Sequence, residues 1–369
     1  MPGSAYRLPS NLTSTMTRAA STPESPVPVG VVGAGYWGPN LVRNFRGYGG
    51  TTVRWVCDVS EERAHRSVGS GSDIRITDRY EDLLEDDELT AVAIATPAET
   101  HGDLGLAALE AGKHVLMEKP LASSVAEARR LVAMAEASGL VLMCDHTYCY
   151  TPAVLKIREL VTSGELGDIR YFDSVRINLG LVQPDCDVLW DLAPHDLSIL
   201  DFVLPPEHRP NRVSAHVADP LGIGRGSVGY LTMPLPGGAV AHIHVNWLSP
   251  TKIRKMIVAG SKKMLVWDDL EPSQRLSIYD RGVEIPDALE DRDRDHILVS
   301  YRTGDMVAPA LPEIEALRGV VREFAEAINS GRAPSTDGHS GLRVVQTLAA
   351  AEQSAGSEGA FRSVGSDLE

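Results

Sequence analysis

The chain has 369 residues, of which 43% are hydrophobic and 23% charged, and its formal net charge is -15 at pH 7. That composition excludes fibrous and wholly disordered classes, and the acidic balance excludes nucleic acid or an anionic membrane as the main partner, because both repel a negative surface. No apolar run approaches the roughly 18 residues needed to span a membrane. The four cysteines show neither CxxC nor zinc-ligand spacing, so reduced thiols in a cytoplasm are expected, with no metal site.

The length points to two domains, each with its own core. Residues 1–28 are rich in Ser, Thr and Pro without an apolar h-region, which predicts a disordered tail rather than a secretory signal. Arg7 and Arg18 also resemble the charges of an organellar transit peptide, but Pro9, Pro23, Pro26 and Pro28 oppose an amphipathic helix, and Met16 is an alternative start. From Val29 short β-branched runs alternate with helical patterns: VGVVGAG, TTVRWVCD, TAVAIATP, KHVLMEKP and LVLMCDHTY read as buried strands. Apolar strands alternating with helices predict a doubly wound parallel sheet, an α/β Rossmann domain over residues 29–150. After a helix at TPAVLKIRELVTSGELG the pattern changes to strand after strand, from DIRYFDSVRINLG to RLSIYDRG, followed by two closing helices. This predicts an α+β domain over residues 151–369 with a large, mostly antiparallel open sheet.

GAGYWG places Gly33, Gly35 and Gly38 between the first strand and the first helix, with Tyr36 and Trp37 inside the turn. The first glycine permits the tight turn, the second lets a pyrophosphate approach the backbone, and the third lets helix and strand pack closely. The phosphates then meet a positive helix N-terminus. Twenty residues after Gly38, Asp58 ends the second strand, where a carboxylate accepts from ribose hydroxyls and repels a 2'-phosphate. NAD is therefore the expected cofactor, and Arg63 a few residues on leaves NADP open. Thr96 and Pro97 end the next strand beside the same crevice.

Lys119 ends an apolar strand and is followed by Pro120. There its ammonium reaches the crevice and stabilises a developing alkoxide, or it is a surface lysine capping a strand. In WDLAPHD, Asp191 and His195 stand four apart, on one face of a helix. Imidazole suits a general base near neutral pH. Pro194 predicts that the helix begins or bends there, and a start at Pro194 makes Asp191 a cap and His195 a core histidine. Asp196 faces about 100° away, in position to support backbone or arginine groups.

These pieces together resemble the Gfo/Idh/MocA family, named for glucose-fructose oxidoreductase and inositol dehydrogenase. The resemblance runs from about Val29 to the last helix and rests on GAGYWG, on IATPAETH with His101, on Glu118-Lys119-Pro120, on HTYCYTPAV and on WDLAPHD. It implies Lys119, Asp191 and His195 as the catalytic set, with the histidine as acid and base and the lysine beside the reacting oxygen. His101 and Glu118 are implied near the cofactor. Tyr150, Arg176 and Asn178 join the catalytic three as expected substrate contacts, with Lys252, Arg254 and Lys255 as further candidates for a diphosphate. The open sheet implies a homo-oligomer, a dimer or tetramer.

GYWGPNLVRNF, WDLAPHDLSIL and GSKKMLVWDDLEPS look most like the branch that oxidises or reduces a ring carbon, often C3, of nucleotide-activated sugars in amino- and deoxysugar formation. Many relatives read YNP where Tyr150, Thr151 and Pro152 stand, so that asparagine contact does not carry over. Three other readings stay open: an inositol or polyol dehydrogenase, a glycosidase using NAD for transient oxidation, and a non-catalytic NAD-binding regulator.

Overall fold

The computed structural model describes residues 25–180, 182–183, 186–284 and 300–365. Most of the expected tail, residues 1–24 with Met16, lies outside the described residues. The first strand, β1 (Val27–Val32), starts two residues before the expected strand start at Val29, and Val29 and Val31 are fully buried.

The chain then alternates α1 (Gly38–Gly47), β2 (Thr51–Cys57), α2 (Glu61–Val68), β3 (Arg75–Thr77), α3 (Glu81–Leu84), β4 (Ala91–Ile94), α4 (His101–Glu110), β5 (His114–Glu118), α5 (Val125–Ser138) and β6 (Leu142–Asp145). These strands form a six-stranded sheet in the order β3-β2-β1-β4-β5-β6, with every pair parallel. β4 is buried at every residue, as expected of a strand covered by helices on both faces. The strand order reverses between β1 and β4, which opens a crevice at their carboxyl ends. β3 did not stand out in the sequence; it is a three-residue edge strand with one buried side chain.

A 3-10 turn, Thr147–Tyr150, and α6 (Pro152–Thr162) lead into the second half. There follow β7 (Ile169–Leu179), α7 (Val188–Val203), β8 (Arg212–Ala218), β9 (Val228–Pro234), β10 (Val240–Asn246), β11 (Leu248–Gly260), β12 (Met264–Asp268), β13 (Leu276–Glu284) and β14 (Ser300–Val307). The chain closes with α8 (Ala316–Ser330), α9 (Gly338–Ala355) and the two-residue β15 (Arg362–Ser363). The nine-stranded sheet runs β14-β13-β12-β11-β7-β10-β9-β8-β15, and β7 with β10 is its one parallel pair. The fold is thus a doubly wound parallel sheet joined to an α+β unit built on a mostly antiparallel sheet.

Alternation along β7 buries Phe172, Ser174 and Arg176 on the face that α7 covers and leaves Tyr171, Asp173, Val175 and Ile177 on the other. The last two helices cross back to the first sheet. Phe324 of α8 packs edge-on against Phe45 of α1 at 6.5 Å, and Thr336, just before α9, donates to the carbonyl of Cys144 in β6 at 2.8 Å.

Candidate active site

At the carboxyl edge of the first sheet, β1 turns into α1 through GAGYWG. Gly33 takes φ +91°, a conformation L side chains rarely adopt, and a Cβ on Gly38 would sit 1.9 Å from the Gly33 carbonyl oxygen. A Cβ on Gly35, by contrast, would meet nothing within 4 Å, so its backbone faces open space as a phosphate cradle requires. Asp58, at the end of β2, is 6% exposed and accepts from the Ala34 amide at 2.6 Å, the Ser60 amide at 2.8 Å and the Arg63 guanidinium at 2.7 Å. Burial works to raise its carboxyl, but the bonds from Arg63, Ala34 and Ser60 outweigh it and hold the group below the usual carboxylate range. The glycine turn and this carboxylate fit an adenosine dinucleotide.

A cleft of about 1090 Å³ lies between that edge and the second sheet. Its walls gather Tyr36, Trp37, Thr96, Pro97, Lys119, Asn178, Asp191 and His195 from among the residues expected at the site. Tyr36 is 85% exposed and stands edge-on to Trp37 at 5.5 Å, so the loop presents both rings to the cleft instead of the core.

α7 begins at Val188, with Asp187 capping it by accepting from the Trp190 amide at 3.0 Å, so of the two alternatives left open at Pro194 the helix start is ruled out. Pro194 lies inside the helix, where it removes one amide from the ladder. Asp191 is therefore a first-turn residue rather than the cap, and it shares the cleft-facing side with His195 one turn on. Lys119 Nζ donates to the Asp191 carbonyl oxygen at 3.2 Å and stands 3.7 Å from its Oδ1. Trp247 Nε1 donates to Oδ2 of the same carboxylate at 2.9 Å. Trp247, fully buried, was missed by sequence reasoning because only the register of β10 and β11 brings it to α7.

His195 is held well below the usual histidine range, first by burial and then by the surrounding positive charges of Lys119, Arg176 and Arg254. A neutral imidazole and a charged lysine thus face one cleft, the combination needed to take a hydroxyl proton while stabilising the oxygen left behind.

Other expected residues lie elsewhere. Tyr150 is buried with its hydroxyl 3.0 Å from Thr336 Oγ1, away from the cleft, whereas Tyr148 in the same turn packs against His195. Arg176 is not available to a diphosphate: at 3% exposure it is bound by Asp196 through 2.8 and 3.2 Å contacts. Arg254 and Asn178 do reach the cleft, as does Arg225, which the sequence did not single out; Lys252 and Lys255 are not on its walls. His101 is buried, with its ring nitrogens 2.8 Å from the Pro120 carbonyl and 3.0 Å from that of Thr96, so it braces both edges of the crevice from behind. Glu118 is buried beside Asp145 on the neighbouring strand; burial and that carboxylate both raise it.

A 3-2-1-4-5-6 parallel sheet with a phosphate-fitting glycine turn and an acid at the end of β2 defines a dinucleotide-binding protein. Residues 27–146 match the model described as "Oxidoreductase family, NAD-binding Rossmann fold", and residues 154–266 match that of the GFO/IDH/MocA C-terminal domain. The chain belongs to the Gfo/Idh/MocA oxidoreductase family, and it is an NAD(P)-dependent oxidoreductase. It is 29% identical over 333 residues to UDP-N-acetylglucosamine 3-dehydrogenase of Acidithiobacillus ferrooxidans, covering 88% of this chain and 95% of that one. It is 30% identical over 194 residues to inositol 2-dehydrogenase 2 of Saccharopolyspora erythraea, covering 50% of this chain and 57% of that one. A solved structure of the Acidithiobacillus enzyme aligns with a TM-score of 0.71 at 27% identity, covering 89% of this chain and 97% of that one. Among the described residues, no helix is long and apolar enough to cross a membrane.

Proposed function

We propose that this protein transfers hydride between nicotinamide and a ring carbon, C3, of a nucleotide-activated sugar in amino- or deoxysugar formation. The observation that carries the reading is the convergence of Lys119, Asp191 and His195 with Asn178 and Arg254 on one cleft. The likeness to a UDP-N-acetylglucosamine 3-dehydrogenase over most of both chains supports the substrate class. Residues 29–150 hold the cofactor and residues 151–369 supply most of the substrate wall.

When bound, the cofactor supplies the hydride acceptor or donor, with its pyrophosphate at Gly33, Gly35 and Gly38, its adenine ribose at Asp58, and Tyr36, Trp37, Thr96 and Pro97 along its length. His195, uncharged, takes the hydroxyl proton in oxidation and returns it in reduction. The Lys119 ammonium stabilises charge on the oxygen in a partly water-excluded cleft, where such a contact is strong. This matters because a histidine so depressed is a weak base, and the lysine makes the hydroxyl correspondingly more acidic. Asp191 orients the lysine, and Trp247 orients Asp191.

A second reading, a polyol or inositol dehydrogenase, is favoured by the likeness to inositol 2-dehydrogenase over half of this chain. A panel of sugar nucleotides, hexose phosphates and inositols, each with NAD and NADP and followed at 340 nm, separates the two. Turnover confined to inositols removes the sugar-nucleotide reading. The face of the second sheet away from α7, with Val175 and Ile177 half-buried, is the surface through which copies of a cytoplasmic enzyme would assemble as a dimer or tetramer. Light scattering after size exclusion checks that assembly, and a monomer contradicts it.

A further inference from the structure

We propose that Tyr148 is the positioning residue for the proton-transfer histidine: its ring, clamped by Arg176, fixes the orientation of the His195 imidazole. The inference rests on the reading of His195 as acid and base. Among the described residues no hydrogen bond reaches either ring nitrogen of His195, so packing alone sets the orientation of the ring. The packing partner is Tyr148, edge-on at 5.0 Å between centroids and inclined at 69°. Trp267 of β12 stands edge-on to the same tyrosine at 6.3 Å.

Tyr148 is itself held. The guanidinium carbon of Arg176 lies 4.3 Å from its ring centroid, and that of Arg254 lies at 5.8 Å. Arg176 is fixed in turn by the two-point pair with Asp196, whose Oδ1 also accepts from Ser174 at 2.8 Å. Asp196 is the residue after His195 on α7. The contacts therefore close a loop from imidazole to tyrosine, arginine and aspartate and back through one peptide bond to the imidazole. It joins the turn after β6, β7 and α7, and so it ties the two sheets together at the reacting group.

The groups facing His195 are Lys119 after β5, His146 and Tyr148 after β6, Arg176 of β7 and Arg254 of β11, with Asp191 one turn away on its own helix. Among the described residues, the aromatic ring in contact with the imidazole is that of Tyr148. Its hydroxyl bonds the Arg176 side chain, whereas the contact with His195 is made by the ring, so phenylalanine should keep the imidazole in place and a flexible side chain should not.

The test uses the full chain with histidine labelled by ¹³C in the ring, and the His195 signal is assigned by its loss in His195→Asn. In wild type and Tyr148→Phe the signal should stay that of the neutral ring as pH falls through the usual histidine range. In Tyr148→Leu, and in Tyr148→Met, which keeps volume without a ring, water reaches the imidazole and its titration midpoint should rise by about one unit or more. Turnover of UDP-N-acetylglucosamine with NAD should fall about 10- to 100-fold in both ring-deleted variants, with the KM for NAD unchanged and phenylalanine restoring the rate. An unmoved titration in both ring-deleted variants overturns the proposal, as does a phenylalanine variant that behaves like leucine. The titration needs no substrate, so failure of the base assignment shows separately, as wild-type turnover in His195→Asn.

Discussion

Replacing Asp196 by alanine removes the carboxylate paired with Arg176 and leaves the guanidinium where it is. Arg176 is 3% exposed and Asp196 1%, so water cannot take over the two charge-assisted bonds that are lost. Breaking a buried pair from one side costs about 3–5 kcal/mol, since the surviving charge is left uncompensated. Against a usual total of about 5–15 kcal/mol, that is a large share of the stability. Urea unfolding followed by tryptophan fluorescence should show a midpoint lower by roughly 1 M or more with little change in slope. The double variant Asp196→Leu with Arg176→Met removes both charges and should recover most of the loss, because the desolvation cost disappears with the pair. A loss under about 1 kcal/mol in Asp196→Ala, or a double variant worse than the single, refutes the claim that the pair is buried and mutually dependent.

Asp58→Ala should weaken NAD about tenfold and NADP less, because the carboxylate that accepts from the ribose also repels a 2'-phosphate; titration of both cofactors reads this directly, and an equal loss contradicts it. Burial depresses His195 and His101, and brings His146 down to about 4. Below about pH 6.5 the unfolded chain binds protons at these three histidines that the folded chain refuses, which outnumbers the opposing uptake by folded Glu118, raised to about 8, and Asp145, raised to about 6, so stability should fall as pH drops from 6.5 to 5.5. Unfolding midpoints at pH 6.5 and 5.5 check the sign, and a midpoint that rises over that interval contradicts it.

The parts of the site carried by local chemistry were legible in the sequence. GAGYWG and Asp58 are set by one strand, one turn and the next strand, and Lys119 by a strand end followed by proline. The errors arose where tertiary contact decides. Tyr148 and Tyr150 are two residues apart in a 3-10 turn, at about three residues per turn, so they point in different directions and only packing shows which one faces His195. Arg176 looked available because its partner Asp196 is 20 residues away and reaches it only when α7 lies across β7. Pro194 by itself left a helix start or a bend open, and the Asp187 cap and the apolar run on both sides extend the helix through it. The strand run after residue 168 was readable as a sheet, but its order, with β7 placed between β10 and β11, was not.

Absorbance at 340 nm, with UDP-N-acetylglucosamine and NAD, compared between wild type and His195→Asn, tests the central claim most directly. Wild type should reduce NAD, and the variant should bind NAD as tightly while turning over about 10² to 10⁴ more slowly. A variant that keeps wild-type turnover, or a wild type that neither reduces NAD with any sugar nucleotide nor oxidises NADH with any keto-sugar nucleotide, contradicts the account.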